Sequence, residues 1–264
     1  MIKITFLGTC SGTEPMPNRH HSSVAFEING TYYWFDAGEN CSHKAYTSGI
    51  DLSKIRAVFI SHMHIDHIGG LANLFFSISK LYKVTKKPHI NSNSYDVFVP
   101  SLEKLQFIKE ISGVFKTPHN SDSRYSNGVS MLEHETADGL IFEDENVRVT
   151  ALHNTHLKEN GENGWHAYSF LIETDGKRIV FSGDVGYPEE LDPFMVGGVD
   201  LIIMETGHHS VRNVCEYART RGAKKLLFTH HGREILNDFE AAEKLAASFD
   251  IDAKICNDGD IITL

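Results

Sequence analysis

The alternation of apolar and polar positions predicts two blocks of strands, each followed by helices. In the first block, strands are predicted at IKITFLG, SSVAFEI, TYYWF and IRAVFI, and Asn29-Gly30 between the second and third is a typical hairpin turn. In the second block, strands are predicted at VRVTAL, AYSFLIET, RIVFSGD, DLIIMET and KKLLFTH. Two such blocks predict an α/β protein with two packed sheets covered by helices.

Apolar residues recur at helical spacing in LANLFFSISKLYKV, SLEKLQFIKEISG, SVRNVCEYARTRG and NDFEAAEKLAASF. Ser101 and Ser210 stand where N-caps are expected, and Gly113 and Gly222 stand where helices end. Residues 114–140 are mostly polar and rich in turn-forming residues. We expect them to form an exposed loop or a small hairpin lid.

The composition is that of an ordinary globular chain, with 41% hydrophobic and 23% charged residues among 264. This length predicts a single domain spanning residues 1–264. The apolar runs are shorter than the roughly 18 residues that a membrane span needs, and MIKITFLGT has the pattern of a strand. We therefore expect no membrane association and a cytoplasmic location. Four scattered cysteines without CxxC spacing predict buried packing residues and no disulfide framework.

The charge and the histidine content narrow the functional classes. A formal net charge of −10 argues against an extended nucleic-acid-binding surface, because nonspecific binding to backbone phosphates comes from lysine and arginine. Sixteen histidines are an unusual number, and histidine is the commonest side-chain metal ligand. What matters is whether these histidines cluster.

They cluster directly after the strand IRAVFI, where SHMHIDHIGG contains His62, His64, Asp66 and His67. Side chains two residues apart on extended backbone point to the same side, so His62 and His64 can bind one ion. The following turn can direct Asp66 and His67 toward a second ion. Nitrogen and carboxylate ligands without cysteine suit zinc, with manganese and iron as alternatives.

The segment HMHIDH matches the HxHxDH signature of the metallo-β-lactamase fold hydrolases. Together with LGTCSGTEPMPNRHHSS and WFDAGEN in the right order, it resembles the tRNase Z and phosphodiesterase branch of that superfamily. The resemblance implies a four-layer αββα sandwich with two divalent metals at the sheet edge. It also implies a homodimer.

The resemblance implies three further ligands, each after a later strand. They are His156 past VRVTAL, Asp184 in the GD turn of RIVFSGD, and His230 after KKLLFT. His153 and His231 are the neighbouring alternatives. Asp36 in WFDAGEN matches a buried aspartate that orients ligands.

Carried onto this chain, the family pattern assigns one metal to His62, His64 and His156, the second to Asp66, His67 and His230, and the bridging position to Asp184. Two cations about 3.5–4 Å apart can share a hydroxide and aim it at an electrophile. Asp66 and Asp184 offset part of the metal charge. Asp66 therefore counts with the catalytic residues as well as with the ligands.

A phosphodiester also needs a proton donor for its departing oxygen, because an alkoxide is a poor leaving group. The stretch METGHHS is similar to the segment in which these phosphodiesterases carry a catalytic histidine. The resemblance assigns that role to His208, with Glu205 to orient it. His209 is the alternative, and a helix N-terminus without a catalytic role is the third interpretation.

Two departures argue against tRNA processing. Met204 stands where tRNase Z usually has a histidine, and Asp175-Gly176 joins two strands where tRNase Z inserts its tRNA-binding arm. We therefore predict a phosphodiesterase for a small-molecule or short-nucleotide substrate, such as a cyclic nucleotide or short oligonucleotide. The alternatives are an ester, lactone or thioester hydrolase, a tRNA 3′-processing endonuclease and, outside enzymes, a metal-stabilised binding module.

Overall fold

The computed structural model describes four stretches of the chain, residues 1–12, 17–116, 128–157 and 166–264. The chain divides into two compact units, each built on one sheet. The first unit comprises Met1–Gly8, His20–Glu135 and Gly259–Leu264, and the second comprises Thr9–Arg19 and Thr136–Asp258. The single domain over residues 1–264 stays a prediction.

The sheet of the first unit has seven strands among the described residues, in the spatial order β14 (Ile261–Thr263), β1 (Ile2–Gly8), β2 (Ser23–Ile28), β3 (Thr31–Phe35), β4 (Ile55–Phe59), β5 (Ser94–Val99) and β6 (Ser130–Glu135). The pairs from β14 to β3 are antiparallel and those from β3 to β6 are parallel. The carboxyl ends of β3 and β4 therefore lie at the same edge.

The helices of the first unit are α1 (Cys41–Thr47), α2 (Ile65–Ile68), α3 (Leu71–Thr85), α4 (Ile90–Asn93) and α5 (Leu102–Ser112). The predicted boundaries of α5 are confirmed, because the Ser101 hydroxyl accepts from the Lys104 N–H and Gly113 ends the helix with φ 66°. Leu71, Leu74 and Phe75 of α3 belong to a buried apolar cluster that includes sheet residues. The 3.6-residue repeat of α3 thus faces a core.

A ladder of phenylalanines crosses the same sheet. Ring centroids are 5.1 Å apart for Phe26 and Phe35, 4.9 Å for Phe35 and Phe59, and 5.1 Å for Phe59 and Phe98. Each neighbour pair sits on adjacent strands, and all four rings are buried. Burial of such a side chain stabilises the fold by about 2 kcal/mol, so the ladder fixes β2 to β5 as a rigid platform.

The sheet of the second unit also has seven strands within the described ranges, in the order β13 (Asp252–Ile255), β12 (Lys225–His231), β11 (Leu201–Thr206), β10 (Lys177–Phe181), β9 (Tyr168–Thr174), β8 (Arg148–His153) and β7 (Gly139–Glu143). β10 to β13 pair in parallel, whereas β7 to β10 pair antiparallel. The carboxyl ends of β8, β10, β11 and β12 therefore share one edge.

The helices of the second unit are α6 (Asp192–Met195), α7 (Val211–Thr220), α8 (Arg233–Asn237) and α9 (Phe239–Ala247), and a 3-10 turn covers Pro188–Leu191. The predicted N-cap of α7 is confirmed, since the Ser210 hydroxyl accepts from the Asn213 N–H. Val211, Val214 and Ala218 of this helix are buried in an apolar cluster with β10 to β12. The prediction of two sheets with helices is confirmed.

The connection of β9 to β10 is as short as the sequence indicates. Thr174 pairs with Lys177, and the two residues between them, Asp175 (φ 48°) and Gly176 (φ 70°), form the turn. Positive φ at both positions is the geometry of a tight hairpin turn. No arm is inserted at this place.

The expectation for residues 114–140 is wrong over part of its length, and residues 117–127 lie outside the described ranges. Ser130–Glu135 forms β6, paired in parallel with β5, and Gly139 begins β7 in the other sheet. The stretch therefore contains edge strands instead of one loop or hairpin. Edge strands carry many polar side chains, which is why the pattern was misleading.

The four cysteines are buried, as predicted. Within the described ranges, none of the helices combines the length and the apolar content that crossing a membrane requires.

Candidate metal centre

The first group of candidate ligands lies at the carboxyl end of β4, in the segment His62–His67. His62 is fully buried, and its Nε2 atom lies 3.0 Å from Nδ1 of His64. The His62 and His67 rings are 4.0 Å apart between centroids, and Nε2 of His67 is 3.4 Å from the Asp66 carboxylate. The structure thus brings together the four residues of the HxHxDH motif.

Asp36 fixes this segment from the end of β3. Its carboxylate accepts from the Ser61 N–H (2.7 Å), the Ser61 hydroxyl (2.9 Å) and Nδ1 of His67 (2.7 Å). Asp36 is fully buried and has φ 56°, a region that aspartate tolerates better than most residues. The hydrogen bond holds Nδ1 of His67, which leaves Nε2 to bind a metal.

A close backbone approach completes this support. The Ala37 N–H donates to the His67 carbonyl at 2.7 Å, and the Gly70 N–H donates to the Ala37 carbonyl at 2.8 Å. A Cβ added to Gly38 would lie 2.5 Å from the Asp66 carbonyl oxygen. Gly38 is therefore required for α2 to pack against the turn that follows β3.

The second group lies at the carboxyl edge of the other sheet, and we call it the strand-end cluster: Asp184, Glu205, His208, His230 and, beside them, His156. Each of the first four offers one ligand atom, and these atoms all lie within 4.8 Å of one another. Asp184 follows β10, Glu205 lies in β11, His208 follows β11 and His230 lies at the end of β12. Parallel strands bring them to one edge.

The two histidines of the stretch HNTH have different environments. Nε2 of His156 lies 3.7 Å from the Asp184 carboxylate, and its ring is 4.8 Å from that of His208 between centroids. His153 ends β8 and contacts Asp138 instead, through its backbone N–H (2.7 Å) and through Nδ1 (2.5 Å). Only His156 faces the strand-end cluster.

Two residues that position this loop were missed in the sequence. The Asn154 side chain accepts from the His156 N–H (3.1 Å) and donates to Ser169 (3.2 Å). The Glu190 carboxylate accepts from the N–H groups of Thr155 (3.0 Å) and Gly186 (2.9 Å). An asparagine two residues before a turn N–H is a local signal that the sequence does carry.

His230 and His231 are separated by a β-bulge. Glu205 pairs with Thr229 and Thr206 pairs with His231, so His230 is the extra residue, with φ 50°. Its Nδ1 lies 3.4 Å from the Asp184 carboxylate. A Cβ on Gly207 would lie 2.5 Å from this nitrogen, so only glycine leaves room for the ring.

His231 points away from the cluster and is anchored in the interior. Its Nε2 donates to the Cys256 carbonyl at 2.7 Å, and its Nδ1 lies 3.2 Å from the Thr206 hydroxyl. Burial lowers the pKa of His231 to about 3, so its ring is neutral at physiological pH. The residue holds the bulged end of β12 in place.

Glu205 holds His208 at the rim of the cluster. Its carboxylate accepts from the backbone N–H (2.9 Å) and from Nδ1 (3.1 Å) of His208. Burial raises the pKa of Glu205, but contacts with His208 and His230 outweigh burial and lower it to about 2. The hydrogen bond to Glu205 raises the pKa of His208. Nε2 of His209 donates to the Val185 carbonyl at 3.0 Å and lies 3.5 Å from the Glu205 carboxylate, so His209 also borders the cluster.

The donor chemistry of both groups fits divalent cations. Imidazoles and carboxylates, most of them buried, converge in each group without cysteine, which suits zinc, manganese or iron. Nε2 of His62 and Nδ1 of His64 lie 3.0 Å apart, close enough to serve one cation as ligand atoms. Which residues bind metal stays a prediction.

Known proteins share this fold. The structure is similar to the metallo-β-lactamase fold protein YhfI from Bacillus subtilis, with a TM-score of 0.75 and 18% identity over 100% of both chains. Residues 2–241 match the family described as Anti-Pycsar protein Apyc1. The chain belongs to this family.

Curated relatives of this Apyc1-family chain are named ribonuclease Z. The protein from Methanothermobacter thermautotrophicus is 25% identical and that from Pyrococcus horikoshii 29%, each aligned over 87% of this chain and 86% of the relative. The chain is thus a metal-dependent hydrolase of the metallo-β-lactamase fold, in the tRNase Z and phosphodiesterase branch. The predicted α/β sandwich is confirmed. The binding module without enzymatic activity is set aside.

Proposed function

We propose that this hydrolase cleaves a small phosphodiester, either a cyclic nucleotide or a short oligonucleotide. The observation that carries the proposal is the pairing of His208 with the buried Glu205, 3.1 Å apart, at the rim of the strand-end cluster. The alkoxide that leaves an alkyl phosphodiester needs a proton donor, and His208 is placed to be that donor. The donor and the candidate ligands lie together, since Nδ1 of His208 is 3.7 Å from Asp184.

We further propose that two divalent cations, with zinc as the first candidate, occupy the centre. The proposed ligands share an imidazole or carboxylate donor and are His62, His64, Asp66, His67, His156, Asp184 and His230. When bound, such a pair supplies an activated water and polarises the phosphoryl oxygens.

The residues of the chain have separate tasks in this scheme. Asp36 orients His67, and the β-bulge in β12 aims His230. His208 carries a proton on Nε2 while Nδ1 donates to Glu205, so its outer nitrogen is available to the departing oxygen. His208 is 44% exposed, which leaves it accessible to a substrate. Water adds its oxygen to phosphorus, the bond to the leaving oxygen breaks, and that oxygen takes the proton from Nε2 of His208. The proton lost by the water then restores the proton of His208.

A second candidate is a tRNA 3′-processing endonuclease, because the curated relatives are named ribonuclease Z. The two-residue turn of Asp175 and Gly176 and the net charge of −10 favour a smaller substrate. Hydrolysis of an ester or lactone is a third candidate, which would make His208 dispensable. A homodimer and a cytoplasmic location stay predictions.

A substrate panel with matched variants tests the proposal. Bis(4-nitrophenyl) phosphate, 3′,5′-cyclic nucleotides, a precursor tRNA and a lactone are assayed side by side with the metal-loaded protein. We expect turnover of phosphodiesters and a fall of about 100-fold for His208→Ala on alkyl phosphodiesters, within the usual range for a general acid. His153→Ala is the control outside the cluster. Turnover of the lactone alone, or full phosphodiesterase activity in His208→Ala, would contradict the proposal.

A further inference from the structure

A polar groove extends from His208 along the surface of the second unit. Its volume is about 630 Å³, large enough for a nucleoside. One wall is the turn that contains Tyr187 and Glu189, and the other is a face of α7 that presents Asn213 and Glu216. His208 belongs to the lining, so the groove begins at the proposed proton donor.

The groove has an acidic character. Arg221 lines the groove and is bound to Asp192 through two hydrogen bonds of 2.8 Å each, and the Tyr217 hydroxyl donates to the same aspartate at 3.1 Å. The positive charge of Arg221 is therefore offset. Glu189 and Glu216 remain as exposed carboxylates on opposite walls. Such a surface repels a phosphate group.

We propose that this groove binds the nucleoside that bears the leaving oxygen, and that this nucleoside carries no phosphate other than the one being cleaved. The inference rests on the proposed function. When the bond between phosphorus and the leaving oxygen breaks, that oxygen takes its proton from His208, so it must lie against His208. The group attached to that oxygen must then extend into the space that His208 borders.

The lining suits a nucleoside. Tyr187 is 67% exposed, and its ring offers a face on which a base can stack. Asn213 and Glu216 are one turn apart on the exposed side of α7. Their side chains can accept hydrogen bonds from the N–H groups of a base or the hydroxyls of a sugar. Glu216 and Tyr187 are thus proposed specificity-determining residues, and a leaving nucleoside that carries another phosphate is disfavoured.

The test compares dinucleoside monophosphates with the same compounds carrying one extra terminal phosphate, at the 3′ or the 5′ end. Product analysis identifies the leaving nucleoside as the one that gains a free hydroxyl group. We expect the wild type to prefer substrates without a phosphate on that nucleoside. Glu216→Gln should reduce the preference by about threefold, because it removes one nearby negative charge. Glu243→Gln, the same change on the exposed face of α9, should leave it unaltered.

Tyr187→Ala supplies an independent readout. Loss of stacking should raise KM for the dinucleoside monophosphate by about fivefold with little change in kcat. The groove inference is overturned if the wild type cleaves these substrates, Glu216→Gln has the same phosphate preference as Glu243→Gln, and Tyr187→Ala keeps the wild-type KM. In that case the phosphodiesterase proposal still stands. If the wild type cleaves no phosphodiester, both are wrong. Thermal unfolding of each variant verifies that it is folded.

Discussion

The segment His62–His67 and the strand-end cluster reach similar chemistry by opposite routes. In the first, four candidate ligands come from six consecutive residues after β4. In the second, Asp184, His208 and His230 lie at or just after the ends of three different strands, and His156 lies in the loop after a fourth. Both lie at the carboxyl edge of a partly parallel sheet. A local motif can be recognised in the sequence alone, whereas a dispersed group depends on the strand order and on bulges.

The largest expected effect comes from removing one proposed ligand of each region. If both regions serve one centre, His62→Ala and Asp184→Ala should each reduce kcat/KM for bis(4-nitrophenyl) phosphate by at least about 1,000-fold, since metal activation supplies several kcal/mol. His153→Ala, outside both groups, should retain most of the activity. Full activity in either variant would contradict the proposal that both regions hold the catalytic metals.

The next prediction distinguishes the roles of His230 and His231, the two neighbours at the β-bulge. His230→Ala should lose one metal with little loss of stability in the metal-free state. His231→Ala should lower the free energy of unfolding by about 2 kcal/mol, because it removes two buried hydrogen bonds, and should keep both metals. Metal content and urea unfolding of the two variants measure this. The reverse pattern would mean that His231 is the ligand.

A smaller effect is expected for the residues that orient the ligands. Asp36→Asn in the first region and Asn154→Ala in the second should each weaken metal binding by about 10-fold to 100-fold, because both hold a histidine or its loop in place. Competition with a chromogenic chelator gives the affinities. Unchanged metal affinity in one variant would show that its region is held by other contacts.

The smallest effect concerns the salt bridge in the groove wall. Hydrogen bonds from Arg221 lower the pKa of Asp192. Because the folded-state pKa is below the unfolded one, the bridge stabilises the protein at neutral pH and loses this effect as the pH falls through the folded pKa. Asp192→Asn should lower Tm by about 2 °C at pH 7, with a smaller difference in acid. Asp250→Asn, at an exposed site, is the control. A Tm difference between the wild type and Asp192→Asn that grows as the pH falls would contradict this account.

The sequence predicted most elements, because their boundaries are local. Ser101 and Gly113 delimit α5, and Asn29-Gly30 forms the hairpin turn between β2 and β3. It missed β5, β6 and β7, whose short strands lack a clear alternation. The pairing of β14 with β1 also escaped prediction, because contacts between the chain ends leave no local pattern.

The candidate site shows the same division. The His62–His67 motif was evident from spacing, and the choice of His156 over His153 came from the resemblance. Spacing alone did not distinguish His230 from His231, since only the bulge with φ 50° turns one toward Asp184. Glu190 was missed because its hydrogen bond to Thr155 joins residues 35 positions apart, whereas Asn154 was missed although its bond to the His156 N–H is a local turn signal.

Metal analysis of protein purified without chelator tests the central claim most directly. We expect about two divalent metals per chain for the wild type, with zinc predominant, and about one for His156→Ala. His153→Ala should equal the wild type. A folded, metal-free wild-type protein that gains no activity with added zinc, manganese or iron would contradict the account.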